Sequence, residues 1–526
     1  MLDTMRGGEY GPPDELTEPA GLTRRQFLML AGGVAAAGLA ELTACSSPDD
    51  PEIDSNGEEL LEQVGNSLIE LHEEAEGGWR FRSAIQAPHY QTDRDGGASS
   101  VGMGFLILAD HYPDNPKWVQ AAEHTAGWLL AVAQKDPEGR MFWPDYADDG
   151  ETSTTVFTSF DDGSIGIGDY FWQLYERTQK EQYREAALSS LQWTFAQAEN
   201  IGSVDEPMYR WPWGAGDEKP TYYMGMGQGA AGLVHTFATY YERLQEASPE
   251  LAGQCRQYID GSLRYIDQTR TELARNDGDA RALPETGLIG EDGDTCMNSG
   301  YLHGAAGAAF MYLKLYQVFG EEKYIAEAIG PLNWLEDAEY GPVARFGDDK
   351  RAWQLALDPQ GGDNSVMATG FEEGSAGIGW VYLQAYNVTG TTYCLDVAKQ
   401  AANWLAEVAV YEDSGAAWHE VESPAKPVIH ANLNNGVAGI GMFLKELADV
   451  SGDAQYQALA EQALEWLKRT AVHENGSVYW KDNDGEDDYA RDPSWHWGLA
   501  GIAAFTSRMA GGKVSIPGQQ PALPRK

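Results

Sequence analysis

Basic residues are scarce in this chain. Its 36 Lys and Arg stand against 81 Asp and Glu, for a net charge of -45. No basic patch exists to neutralise a run of phosphates, which excludes nucleic acid as a partner. An acidic excess spread along the whole chain suits a protein working in high salt, where screening removes self-repulsion. Cysteine is nearly absent as well: Cys45, Cys255, Cys296 and Cys394 are the only four, and no two form a C-x-x-C pair. That excludes a disulfide framework, and leaves room for one bridge among Cys255, Cys296 and Cys394. The apolar run from about Phe27 to Ala40 is too short to span a bilayer.

That run belongs to an export signal. Thr23-Arg24-Arg25-Gln26-Phe27-Leu28 is a twin-arginine pattern, and Leu42-Thr43-Ala44-Cys45 closes the apolar stretch in the manner of a lipobox. Residues 1–45 therefore read as a twin-arginine signal peptide, with a lipid expected on the Cys45 thiol. The expected location is extracytoplasmic: a lipoprotein tethered to the membrane at the cell surface. Residues 46–57 read as an acidic flexible linker, 58–510 as the folded body and 511–526 as a disordered tail.

The body is a repeat. Gly-x-x-Gly recurs ahead of an apolar helical stretch at Gly163–Gly166, Gly229–Gly232, Gly304–Gly307, Gly374–Gly377, Gly436–Gly439 and Gly498–Gly501, with a degenerate copy at Ser99–Gly102. One such motif means nothing; seven at near-constant period define a repeat architecture. A second helix precedes each copy. In most it carries two aromatic residues about three turns apart, on one face: Trp118 and Trp128, Tyr183 and Trp193, Tyr324 and Trp334, Tyr393 and Trp404, Tyr456 and Trp466. These rings are expected in the hairpin core. A hairpin cannot bury its apolar faces alone, so neighbours must stack. The expected fold is all-α, an α/α toroid of seven helical hairpins and fourteen helices with the glycine-led helices inside. A superhelical solenoid is the alternative.

In such a ring the inner helix N-termini gather at one end of the cavity, where unpaired N–H groups make the potential positive. The pairs just before each copy should line that mouth: Gly97-Ala98, Asp161-Asp162, Gly227-Gln228, Leu302-His303, Glu372-Glu373, Asn434-Asn435 and His496-Trp497. Asp161, Glu372 and His303 are the candidate catalytic groups. Asp162, Gln228, Glu373, Asn434, Asn435, His496 and Trp497 are the candidate ligand contacts. N-capping is the plainer account of Asp162 and Asn435. Two sequons, at Asn387 and Asn475, fit an exposed surface.

Over residues 58–510 this pattern resembles the lanthionine synthetase C-like family. Gly300-Tyr-Leu-His303-Gly304-Ala-Ala-Gly307 is similar to the family's fourth repeat, and Ser494-Trp-His-Trp-Gly498-Leu-Ala-Gly501 to its last. The resemblance implies a fourteen-helix toroid. It also implies a catalytic zinc held by two Cys and one His just before repeats five and six. Those places read Phe371-Glu372-Glu373-Gly374 and Leu433-Asn434-Asn435-Gly436. A neutral Asn amide is a poor zinc ligand, so the family zinc is expected to be absent, with no other cofactor or metal in its place. The expected function is ligand binding or a degenerate enzyme activity at the cavity mouth, not lanthionine cyclisation. The ligand would be a peptide or a carbohydrate, and the membrane would be met through the lipid on Cys45. Three other readings stand beside it. One is a glycan-processing hydrolase that pairs Asp161 or Asp162 with Glu372 or Glu373. Another is a rebuilt metal site of Glu372, His303 and His496. The last is a purely structural lipoprotein.

Overall fold

The structure is a computed structural model that describes residues 57–83, 89–275, 279–285, 296–357, 366–412, 415–422, 428–474, 476–481 and 491–514. The export signal with Cys45, nearly all of the linker, most of the tail and Asn475 lie outside the described residues. Among these residues no helix is long and apolar enough to cross a membrane.

The described residues form fourteen helices. Seven are led by a glycine and form the inner layer: α2 (Ala98–His111), α4 (Ser164–Thr178), α6 (Ala230–Leu244), α8 (Ala305–Phe319), α10 (Ser375–Thr389), α12 (Val437–Ser451) and α14 (Leu499–Met509). They are buried on almost every side, which is why their sequences carry small and apolar residues all round rather than a polar stripe. The outer layer is α1 (Glu58–Glu70), α3 (Lys117–Val132), α5 (Glu181–Ala196), α7 (Pro249–Arg275), α9 (Glu322–Glu336), α11 (Thr392–Val408) and α13 (Ala454–Thr470). These are amphipathic: in α3 the buried set Trp118, Ala121, Ala122, Thr125, Ala126, Trp128 and Leu129 follows helical spacing along one face. The paired aromatics are core, as expected, with Tyr393 alone half-buried.

The hairpins pair differently from the sequence expectation. The first six glycine-led helices each pack tightly on the outer helix that follows, not the one before. Only two residues separate α8 from α9, α10 from α11 and α12 from α13. The first of the two is Gly320, Gly390 or Gly452, at φ 67, 70 and 69°. That left-handed C-cap reverses the chain, and a side chain there would be strained. Gln179 adopts the same conformation after α4, at φ 56°.

The chain closes into a ring rather than a solenoid. Among the described residues no helix follows the last inner helix, α14, which packs on α1, the first helix of the body, and on α2. Polar contacts cross this seam, among them Ser83 Oγ donating to Asp492 Oδ2 (3.0 Å), the Val478 N–H donating to Ser67 Oγ (2.6 Å), and His111 Nδ1 meeting Ser507 Oγ (3.1 Å).

Two-stranded antiparallel hairpins follow most outer helices. Five of them deliver a tryptophan back onto the helix end. The indole N–H of Trp143, Trp211, Trp353, Trp418 and Trp480 donates to the carbonyl of Leu129, Thr194, Leu335, Leu405 and Leu467, at 2.7 to 2.9 Å. Each acceptor is the residue just after the outer-helix tryptophan. The contact gives a carbonyl in the last turn of the helix a buried side-chain donor.

Three sequence expectations need correction. Cys255, Cys296 and Cys394 are all free thiols, and two are sealed inside helices, so no bridge forms. Asn387 lies buried within inner helix α10, hydrogen-bonded to Gln384, so that sequon is not on the surface. The first repeat begins at Gly97, the N-cap of α2, and not at Ser99. Gly102 is small because Tyr170 of α4 lies against it: a Cβ there would come within 2.4 Å of the ring.

Candidate functional site

The loops entering the inner helices are joined edge to edge by main-chain hydrogen bonds. Asp95 N donates to Asp161 O (3.2 Å), Asp161 N to Gly227 O (3.1 Å), Gly227 N to Leu302 O (3.3 Å), Leu302 N to Glu372 O (2.9 Å), Glu372 N to Asn434 O (3.2 Å) and Asn434 N to His496 O (3.0 Å). Asp95, Asp161, Gly227, Leu302, Glu372, Asn434 and His496 are therefore equivalent positions on one belt around the cavity. This belt also explains the second glycine of the motif. A Cβ at Gly166, Gly232, Gly307, Gly377, Gly439 or Gly501 would stand 1.8 to 2.1 Å from the carbonyl oxygen six residues earlier. Close backbone approach, not a ligand, requires glycine there.

The belt sorts the site into three tiers. Below it, the preceding residues of all seven repeats form a floor: Arg94, Phe160, Met226, Tyr301, Phe371, Leu433 and Trp495. On the belt itself, Asp161, Leu302, Glu372 and His496 complete the wall of a small cleft that is partly open to solvent. Above it, Asp162, Gln228, His303, Glu373, Asn435 and Trp497 form a half-buried rim. All ten candidate residues thus sit at one mouth. The Gly97-Ala98 pair does not: the first repeat contributes Asp95-Gly96 instead, with Arg94 beneath. The shift by two residues hid Arg94 and Asp95 from sequence reasoning, because Ser100 replaces the second glycine in that repeat.

Each rim side chain has a partner. His303 sits between Glu373 and Gln228, with Nδ1 against the Glu373 carboxylate and Nε2 2.7 Å from Gln228 Oε1. Burial works against its charge, but the Glu373 carboxylate, helped by Glu285 and Asp161, pushes its pKa up to about 9. His303 is an imidazolium at neutral pH, donating from both nitrogens. Asp162 accepts from Trp213 Nε1 (2.8 Å) and Ser159 Oγ (3.4 Å), and Asn435 Nδ2 donates to Glu420 Oε1 (3.1 Å). Neither is an N-cap, because in both repeats the N-cap is the glycine that follows. Trp497 Nε1 donates to Asp95 Oδ1 (3.3 Å).

On the belt, His496 is wedged between two carboxyl groups. Its Nδ1 meets Glu372 Oε1, and its Nε2 lies 3.9 Å from Asp161 Oδ1. Burial, with the charges of Arg94 and His303, holds its pKa down to about 3, so the ring is neutral. Burial, reinforced by Asp162, lifts Asp161 to about 7 against the pull of Arg94 and His303. Asn434 is buried, and its Oδ1 accepts no hydrogen bond.

This donor set does not suit the zinc that the sequence resemblance implied. Glu373 is engaged by His303, Glu372 by His496, and the remaining positions offer only Asn amides. Glu372, His303 and His496 do not assemble into a rebuilt site either: among the described residues no three His, Cys, Asp or Glu side chains converge as metal ligands.

The family model for lanthionine synthetase C-like proteins matches residues 96–333 and 362–514. The chain belongs to the lanthionine synthetase C-like family. Among solved structures it is similar to a nisin cyclase (12% identity, 86% of this chain and 93% of that one, TM-score 0.49). It is also similar to a D-mannose isomerase (10%, 88% and 100%, TM-score 0.48) and to a family 76 glycoside hydrolase from a bovine Bacteroides thetaiotaomicron strain (13%, 87% and 77%, TM-score 0.44). At these scores none of the three bears on activity or substrate. The family member described here has the toroid, and keeps His303 ahead of its fourth repeat, but carries carboxyl and amide side chains where the zinc ligands belong.

Proposed function

We propose that this is an exported, lipid-tethered member of the family that binds a carbohydrate at the toroid mouth and does not carry out zinc-dependent thioether formation. One observation carries the reading: the rim sets hydrogen-bonding side chains beside half-buried aromatic faces. Asp162, Gln228, Glu373 and Asn435 offer acceptors, and the His303 imidazolium holds two of them, Gln228 and Glu373, in place. Next to them Phe157 stacks on Trp213 at 4.4 Å, with Tyr223 edge-on to Trp213 at 5.6 Å. Sugars present hydroxyl donors on their edges and C–H groups on their faces, and such a mouth matches both. The twin-arginine pattern and Cys45 support export and anchoring, which bring such a site to extracellular glycans. The acidic surface leaves no place for nucleic acid.

Calorimetric titration of the folded full chain in high salt, with mono- and oligosaccharides and with unrelated peptides, tests the proposal. Sugar binding that weakens about tenfold or more in His303→Ala and Glu373→Gln supports it, the loss expected for a charge-assisted hydrogen bond. Peptide binding without sugar binding sinks it. So does stoichiometric zinc that is lost in Glu372→Ala.

Glycan hydrolysis has one observation in its favour, because Asp161 near 7 suits a general acid. The His496 ring, however, fills the space between Asp161 and Glu372, where the scissile bond would have to lie. A hydrolase would have to use Asp162 and Glu373 on the rim instead. Turnover of a glycan abolished by Glu373→Gln but not by Glu372→Gln is the result that would favour it.

A further inference from the structure

The point where the chain enters the ring decides which end of the toroid a tether holds. The body begins at Gly57 and α1, and α1 starts at the end opposite the mouth. His111, the last residue of α2, sets its Nε2 3.0 Å from Glu58 Oε2, and the Tyr112 hydroxyl donates to the Glu58 carbonyl (3.2 Å). Gly57 packs against the last turn of α14: a Cβ there would stand 3.1 Å from Thr506 Cγ2. The inner helices start at the belt and run away from it, so their last turns mark the base of the ring. With 14 residues in α2, the base lies about 20 Å from the belt at 1.5 Å per residue. The described chain also ends at the base, because α14 stops there at Met509 and Arg508 Nη1 donates to the Val514 carbonyl (3.4 Å).

Only residues 46–56 separate Cys45 from Gly57. Fully extended, a segment of that length reaches at most about 40 Å. With the base toward the bilayer, little of this reach is used. With the mouth toward the bilayer, Gly57 is lifted by about 20 Å of helix and the loops of the rim besides, and the segment is drawn out along α1. Drawing it out costs conformational entropy. Charge acts in the same direction. The segment carries Asp49, Asp50, Glu52 and Asp54 and no Lys or Arg, and the charged residues of α1 are Glu58, Glu59, Glu62 and Glu70. An acidic segment laid along an acidic helix is repelled.

We propose that the lipid on Cys45 holds the base of the toroid toward the bilayer and turns the mouth away from it. The base then faces the lipid headgroups, which it meets through the tether and not through a docking groove. The mouth takes a ligand that arrives from the side away from the membrane, and not the headgroup of a lipid in the same bilayer. This inference rests on the lipid-tether reading above and deepens it.

The test measures energy transfer from a donor dye on the exported full chain to acceptor-labelled headgroups in phosphatidylcholine vesicles. Asp114→Cys carries the dye at the base, in the exposed turn between α2 and α3; Glu218→Cys carries it at the mouth, in the exposed loop that follows Trp213. Both are made with Cys296→Ser, because Cys255 and Cys394 are buried and Cys296 is only half-buried. Neither position belongs to the proposed site, and both are exposed, so the labelled chains keep the fold. Transfer from the Asp114→Cys dye is expected to exceed transfer from the Glu218→Cys dye, and Cys45→Ala should abolish both by releasing the protein from the vesicles. Equal transfer from the two dyes, or more from Glu218→Cys, on protein that floats with the vesicles overturns the orientation and leaves the tether standing. Protein that stays off the vesicles, with no lipid mass on Cys45, removes the tether reading and the orientation together.

Discussion

Removing the Glu373 carboxylate isolates the strongest electrostatic interaction on the rim. His303 is less than a third exposed, and its pKa stands at about 9 against an ordinary value near 6.5. That difference corresponds to about 3 kcal/mol of preferential stabilisation of the charged ring. Burial alone would lower the pKa, so Glu373→Gln should bring His303 to or below its ordinary value and leave it neutral at pH 8. The linkage has a definite sign. A raised folded-state pKa gives stability that is fully present below the unfolded value near 6.5 and lost as the pH climbs through 9. Wild-type stability should therefore fall by up to about 3 kcal/mol between those limits, and the Glu373→Gln variant should lack that fall. Ring-proton or ring-nitrogen NMR titration of His303 reads the pKa directly, and denaturant unfolding at pH 6, 7.5 and 9 reads the linkage. A wild-type His303 that titrates at or below 6.5 would refute the reasoning, as would two stability curves that run parallel.

Three further predictions concern the scaffold. Gly439→Ala puts a Cβ 1.9 Å from the Leu433 carbonyl oxygen, so the belt must move; a loss of about 2 kcal/mol or more in denaturant unfolding is expected. Gln179→Gly relieves a left-handed residue where sister hairpins carry glycine, and should raise stability by about 1 kcal/mol; an unchanged or lower unfolding midpoint would count against the strain. Trp418→Phe removes the indole donor from the Leu405 carbonyl in a fully buried site. A loss of about 1–3 kcal/mol follows, and a neutral result would show the carbonyl finding another donor.

The site was legible to the extent that it obeys the repeat. Asp161, His303, Glu372 and His496 were found because each stands at a fixed distance before a recognisable glycine. Arg94 and Asp95 were missed because Ser100 breaks that signal in the first repeat, and Gly102 offered a false one. Nor could the sequence say what the mouth residues do to each other. Glu373 and His303 are 70 residues apart, and Glu372 and His496 are 124 apart. Each pair meets only because the belt sets the entering loops of different repeats side by side. The N-cap reading of Asp162 and Asn435 failed for a related reason. Local spacing favours a cap, but their side chains turn outward to Trp213 and Glu420, which tertiary contacts bring alongside.

What the sequence determined alone is the number, kind and order of the units. Small residues at Gly166 and its equivalents, helical spacing of the outer aromatics and left-handed turn glycines are local requirements, each written in a few adjacent positions. Tertiary structure decided which helix each glycine-led helix pairs with, that α14 completes its hairpin with α1, and which charges face one another across the cavity. Those outcomes depend on contacts between residues up to 411 positions apart, such as Ser67 with Val478. No local propensity encodes them; they follow from the geometry that lets seven hairpins bury their faces only by closing on themselves.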